Sequence, residues 1–128
     1  MAPVSEAEKT LYARLGGYDA IAAVVDEFLQ TLSSDPQMGR FSAGMNLERR
    51  QRNRQLTLDY LCAATGDPTL YLGQDMKTAH AGLGINASDW QIAMDHVQRA
   101  LTKFKLPEPE SKELMAVLSS LADQIIER

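Results

Sequence analysis

The sequence predicts an all-α protein, and three observations predict it. No segment alternates apolar and polar residues with period two for long enough to make a strand. Apolar residues instead recur at three- and four-residue spacing along four long segments. Gly and Pro breakers separate those segments.

Taken in order, Ser5-Glu-Ala-Glu8 has capping-box spacing and predicts the start of a short helix that Gly16-Gly17 ends. From about Asp19 to Leu32, Ile21, Val24, Val25, Phe28, Leu29 and Leu32 form one helical apolar face. Asp35-Pro36 marks a turn, and Phe41 to Asn46 reads as a loop or distorted turn. A long helix follows from about Leu47 to Ala64, basic and polar in its first half (Arg49, Arg50, Arg52, Arg54) and apolar in its second (Leu56, Leu58, Leu61, Cys62). Gly66-Asp67-Pro68 stops it, and Asp67 to Gly73 reads as extended loop. A short helix spans Asp75 to about Ala81. Asn86, with Asp89 three residues on, caps the next helix, which carries Trp90, Ile92, Val97, Leu101 and Phe104. Leu106-Pro107 breaks it. A last helix runs from about Glu110 through Leu114, Val117, Leu118, Leu121 and Ile125.

At 128 residues the chain suits one domain over residues 1–128, and 45% apolar content is that of a globular protein with a core. A net charge of −4 gives no electrostatic reason to expect nucleic acid or an anionic membrane surface. The single Cys62 excludes an internal disulfide and agrees with a reducing compartment. Neither a secretory signal nor an apolar run of membrane-spanning length is apparent, so a cytoplasmic location is the default expectation. Gly-rich phosphate loops, CxxC and HExxH are all missing from the sequence. Cys62, on the apolar half of its helix, reads as structural rather than nucleophilic.

The most informative stretch is Tyr71-Leu-Gly-Gln-Asp-Met76-Lys-Thr-Ala-His80-Ala-Gly82-Leu-Gly84-Ile85. It holds one of the two histidines and sets Met76 one helical turn before it on the same face. A neutral imidazole is a common metal ligand and can serve as the single axial ligand of a haem iron. The ordinary alternative is a packed or surface His on a helix.

Over nearly its whole length the chain resembles a group I truncated haemoglobin. The matching stretches are Leu11-Tyr-Ala-Arg-Leu-Gly-Gly17, the Phe28-containing helix before Ser34-Asp35-Pro36, Phe41 in the next turn, and Thr65-Gly-Asp-Pro-Thr-Leu-Tyr71. Most specific is the register Tyr71-x-Gly73-x-x-Met76-x-x-x-His80-x-x-x-x-Ile85, with Trp90 opening the following helix. The resemblance implies a shortened globin, two helix pairs stacked two-over-two around haem b (iron protoporphyrin IX). It makes His80 the proximal iron ligand, bound through Nε2 with Nδ1–H directed to a backbone carbonyl. Met76, Ile85, Tyr71 and Trp90 are then cofactor contacts, Lys77 and one or two of Arg49, Arg50, Arg52 and Arg54 propionate partners, and Phe41 the aromatic wedged against the porphyrin. Many relatives have two aromatics at that turn; here Phe41-Ser42 leaves the wedge position open between the two.

On the distal side the resemblance places Phe28, Leu29, Asn53 and Thr57. Relatives commonly carry Tyr directly after the helix Phe. Leu29 cannot donate a hydrogen bond, so a high-affinity oxygen complex loses its usual support. Thr57 can donate its hydroxyl to a ligand or to its own helix backbone. His96, mid-helix, reads as a satisfied or exposed side chain rather than a second axial ligand. Covalent haem linkage in some relatives uses a His in the last helix, and residues 108–128 contain none, so non-covalent haem is expected.

The resemblance implies reversible binding of O2, CO and NO, with oxygen binding or transport as the function. The competing enzyme reading is dioxygenation of NO to nitrate, which also needs a stabilised oxygen complex and a reductase. A cofactor-free helical interaction module is the third. Stoichiometric haem uptake separates the third from the others, and the lifetime of the oxygen complex separates the first two. A monomer or weak homodimer is expected.

Overall fold

The computed structural model describes residues 9–67 and 71–127, and among these every regular element is helical. They are α1 (Leu11–Leu15), α2 (Tyr18–Ser34), a 3-10 turn (Met38–Phe41), α3 (Leu47–Ala64), α4 (Met76–His80), α5 (Ala87–Lys103), α6 (Glu108–Ser119) and α7 (Ala122–Ile125). The capping box at Ser5 lies outside the described residues. The helix that Gly16 terminates starts instead at Thr10, whose hydroxyl accepts the Ala13 amide at 3.1 Å.

The predicted boundaries of α3 stand. Asn46 caps it through the Arg49 amide at 2.8 Å, and it ends at Ala64. Gly66, at φ 112°, turns the chain away; a Cβ there would stand 2.8 Å from that of Thr10. The Thr65 carbonyl also accepts the Tyr12 amide at 2.7 Å, so the end of α3 is fastened to the start of α1. The predicted last helix is two elements. Pro107 and Pro109 suit its first turn and set the start at Glu108. It then breaks near Ser119-Ser120, where the Ser120 hydroxyl bonds the Val117 carbonyl, and Ile125 falls in α7.

α2 packs on α3, α5 packs on α6, and α2 also packs on α5, so two helix pairs are stacked two-over-two. The core lies between them. Leu11 and Leu15 of α1, Ile21, Val24 and Val25 of α2, Leu58 and Cys62 of α3, Val97, Ala100 and Leu101 of α5 and Leu114 of α6 form one cluster. Leu58 and Leu101 are fully buried, each worth about 2–3 kcal/mol relative to exposure. Cys62 is buried among them. Burial, with Asp67 and Asp59 nearby, pushes its thiol up to about 11 from 9.0. Only the thiolate attacks a disulfide reagent, so Cys62 should react roughly 100-fold more slowly in the native protein than in urea. A dithionitrobenzoate time course checks this; equal rates would place the thiol at the surface.

Candidate functional site

His80 closes α4, a helix of five residues. A helix this short does not persist on its own and takes its stability from what it packs against. α4 rests on α7. The chain beyond α7 ties down the loop that follows His80: the Glu127 amide donates to the Ile85 carbonyl, and the Glu127 carboxylate accepts the Gly84 amide, both at 2.8 Å. Backbone amides of Gly84, Gly82 and Leu83 hold that carboxyl below its usual range. Gly82 and Gly84 both take positive φ, as the sharp path after α4 demands. Sequence reasoning missed Glu127, because a contact across 43 residues leaves no local signal.

The His80 imidazole is half-buried, with Nδ1 2.9 Å from the Met76 carbonyl. That bond fixes the ring and makes Nδ1 the protonated nitrogen, leaving the Nε2 lone pair available. No described residue bonds Nε2. Met76, one turn earlier, is also half-buried, and Ile85 is buried beyond the glycines. Lys77 is exposed. Tyr71 bonds the Gln74 carbonyl at 2.5 Å and meets Tyr60 of α3 edge-to-face, with ring centroids 5.2 Å apart. A Cβ at Gly73 would fall 2.3 Å from the Tyr71 hydroxyl oxygen, so a larger residue there would displace the Tyr71 ring.

The 3-10 turn carries Phe41, half-buried, with the Arg40 guanidinium 4.1 Å over its ring. Ser42 points its hydroxyl at Ser33, 3.3 Å away. Phe28 and Leu29 pack against the core from α2, and Leu29 also lines an open cleft of about 380 Å³ with Asp26, Arg50 and Arg54. Asn53 is exposed. Thr57 donates its hydroxyl to the Asn53 carbonyl at 2.8 Å, the backbone alternative open to a helical Thr.

Two buried polar residues of α5 gather partners that the sequence did not reveal. Asp89 is fully buried. It completes the capping box with Asn86, and it accepts Gln37 Nε2 at 2.6 Å and Arg40 Nη2 at 2.7 Å. The Arg40 bond, then those of Gln37 and the Asn86 amide, hold its carboxyl at about 2 against 3.8. His96 is buried with Nε2 2.9 Å from Asp35, so it is a satisfied side chain as expected. A carboxyl depressed on folding lends stability above its ordinary range, and loses it as pH falls through the folded value. Asp89 should therefore stabilise the protein at pH 5 and cease to do so between about pH 4 and 2. Removing one partner of a buried pair typically costs about 3 kcal/mol. The urea midpoint of Asp89→Asn should fall accordingly at pH 5 and converge on wild type near pH 2; a constant difference would contradict the assignment.

The chemistry of this arrangement is that of a lone imidazole donor. Among the described residues no three His, Cys, Asp or Glu side chains gather as a metal cage. One anchored His with a free Nε2, beside aromatic and thioether groups only half covered by protein, fits the single protein ligand of a porphyrin iron. The sequence matches the family model for bacterial-like globins over residues 10–127. The chain belongs to the bacterial-like globin family. Its relatives are group 1 truncated haemoglobins. GlbN of Mycolicibacterium paratuberculosis is 30% identical over 116 residues, spanning 91% of this chain and 83% of the relative. LI410 of Chlamydomonas moewusii is 28% identical, over 98% of this chain and 72% of its own. Among solved structures, the ferric truncated haemoglobin of Tetrahymena pyriformis superposes with a TM-score of 0.86 at 20% identity, over 94% of this chain and all of that one. The 2/2 haemoglobin of Synechococcus, a cyanomet form with covalently attached haem, gives 0.84 at 19%, with the same coverage. The fold is the two-over-two globin fold, and membership of this globin family implies haem and the binding of diatomic gases such as O2.

Proposed function

We propose that this protein binds haem b non-covalently through His80 Nε2 and holds O2 reversibly at the opposite face, with CO and NO as further ligands. The observation that carries the proposal is the Nδ1 contact of His80 with the Met76 carbonyl at 2.9 Å, which presets the tautomer an iron ligand needs. When bound, haem supplies the iron on which a diatomic gas is held. The protein supplies the rest. Met76 and Ile85 give the proximal side an apolar wall, Tyr71 and Trp90 flank it, and Phe41 packs from the turn after α2. Lys77 is long enough, and exposed enough, to pair with a propionate. Phe28 and Leu29 make the distal side apolar, so a bound O2 lacks the phenolic donor that relatives place after the Phe. Asn53 offers a short amide, and Thr57 has its hydroxyl proton committed to its helix.

The absence of His from residues 108–128 supports non-covalent attachment. A single domain, cytoplasmic and monomeric or weakly dimeric, completes the proposal. A second function, oxidation of NO to nitrate with a reductase restoring ferrous iron, rests on Tyr60. Its hydroxyl has no hydrogen-bond partner among the described residues, while its ring meets Tyr71 edge-to-face; in this second reading it is the donor to the bound ligand. Titration with hemin tests the first proposal. One equivalent should bind, and the reduced form should take up CO and release O2 without oxidising. Failure to bind one equivalent would sink it, while rapid nitrate formation from the oxygen complex and NO would favour the second.

A further inference from the structure

α5 meets the 3-10 turn at two points, and the two contacts are of one kind. Asp89 and His96 lie seven residues apart, two helical turns, and so on one face of α5. Asp89 takes Gln37 and Arg40 from within and beside the turn. His96 takes Asp35, whose other oxygen caps the turn by accepting the amides of Gln37 at 2.8 Å and Met38 at 3.1 Å. Arg40 also donates to the Gln37 carbonyl and sets its guanidinium carbon 4.1 Å over the Phe41 ring. Asp89 further accepts the Asn86 amide at 3.0 Å, which fixes the junction one residue past Ile85. A fully buried carboxylate with three donors is costly to build unless the geometry it enforces matters.

We infer that α5 is a polar clamp: Asp89 and His96 hold the two ends of the Met38–Phe41 turn, making Asp89 and Arg40 positioning residues that retain haem by fixing Phe41. This rests on the haem proposal above. Asp89 touches both the turn that carries Phe41 and the loop that leaves His80, so its loss loosens two walls at once. Arg40 acts from one side only, through its stack on Phe41.

Two measurements on the protein as purified test the clamp. The first is amide exchange at Met38, Gly39 and Ser42, whose hydrogen bonds define the turn. The second is transfer of haem to an apomyoglobin acceptor. Asp89→Asn and Arg40→Gln should lose protection at those amides and release haem about tenfold faster or more, the range typical when the partner that orients a ligand is removed. Arg40→Lys keeps the charge beside Asp89 but loses the guanidinium over the Phe41 ring, and should fall between. Arg14→Gln is the control. Arg14 is mostly buried and pairs with Glu113 at 2.8 Å, joining α1 to α6 away from the turn. It should lower stability and leave both readouts unchanged. If Asp89→Asn does not fold, Arg40→Gln decides, because Arg40 is half exposed and its loss is tolerable. Retained protection in the turn, or equally fast haem release from Arg14→Gln, would overturn the clamp. A wild-type protein that takes up no haem would overturn the haem proposal instead, and the exchange data would still decide whether the clamp exists.

Discussion

Replacing His80 by Gly should abolish stable haem binding. The imidazole is the proposed axial ligand, and its ring is held by Nδ1 on the Met76 carbonyl at 2.9 Å. Removing a group that merely orients a ligand costs about 10–100-fold in affinity, and removing the ligand itself should exceed the upper end of that range. Fold and cofactor effects separate cleanly here. His80 lies at the end of a short helix and, among the described residues, no buried group bonds its ring, so the variant should keep its helical circular dichroism. Added imidazole fits the space that the substitution vacates and should restore part of the absorption band. A variant that binds haem as tightly as wild type would move the ligand elsewhere, with His96 the other histidine to consider. His96, however, is committed to Asp35 at 2.9 Å.

Leu29→Tyr should slow O2 release about 10–100-fold. The estimate follows from a hydrogen bond to a charged acceptor, worth about 1.5–3 kcal/mol, and a factor of ten for each 1.4 kcal/mol. Bound O2 carries partial negative charge and responds to a donor; bound CO carries little, and its release should hardly change. Leu29 is half-buried between the core and an open cleft, so a larger side chain has room to adjust there. Stopped-flow release of both gases measures the contrast. Equal slowing of O2 and CO would signal a steric barrier, and no change in either would show that position 29 does not face the ligand.

Much of the fold was legible because its signals are local. The Asn86 cap, the Gly66 stop and the spacing of apolar residues in α2 and α5 each depend on neighbours a few positions away. The division of the last helix was less so, since Leu121 and Ile125 continue the α6 spacing and the serines that interrupt it are tolerated in many helices. The candidate site divides the same way. Met76 and His80 sit one turn apart in sequence and in space, so their relation could be read directly. Asp89 looked like a helix cap and is one, but its partner Arg40 lies 49 residues away. Asp35 looked like a turn former and also holds His96 across 61 residues. Pairings at such distances are set by how helices stack, which periodicity does not encode. Thr57 shows the limit for the proposed distal residues. Its position on α3 was predicted, but whether its hydroxyl faces a ligand or its own backbone depends on a rotamer, and in this structure it bonds the Asn53 carbonyl.

The most direct test of the account is the iron–nitrogen stretching band of the ferrous, ligand-free protein by resonance Raman spectroscopy, with and without 15N-labelled histidine. The wild-type protein should show a single band that shifts with the label, persists in His96→Gln and is absent from His80→Gly. A band that survives loss of His80, or no histidine-sensitive band in wild-type protein carrying one equivalent of haem, would contradict it.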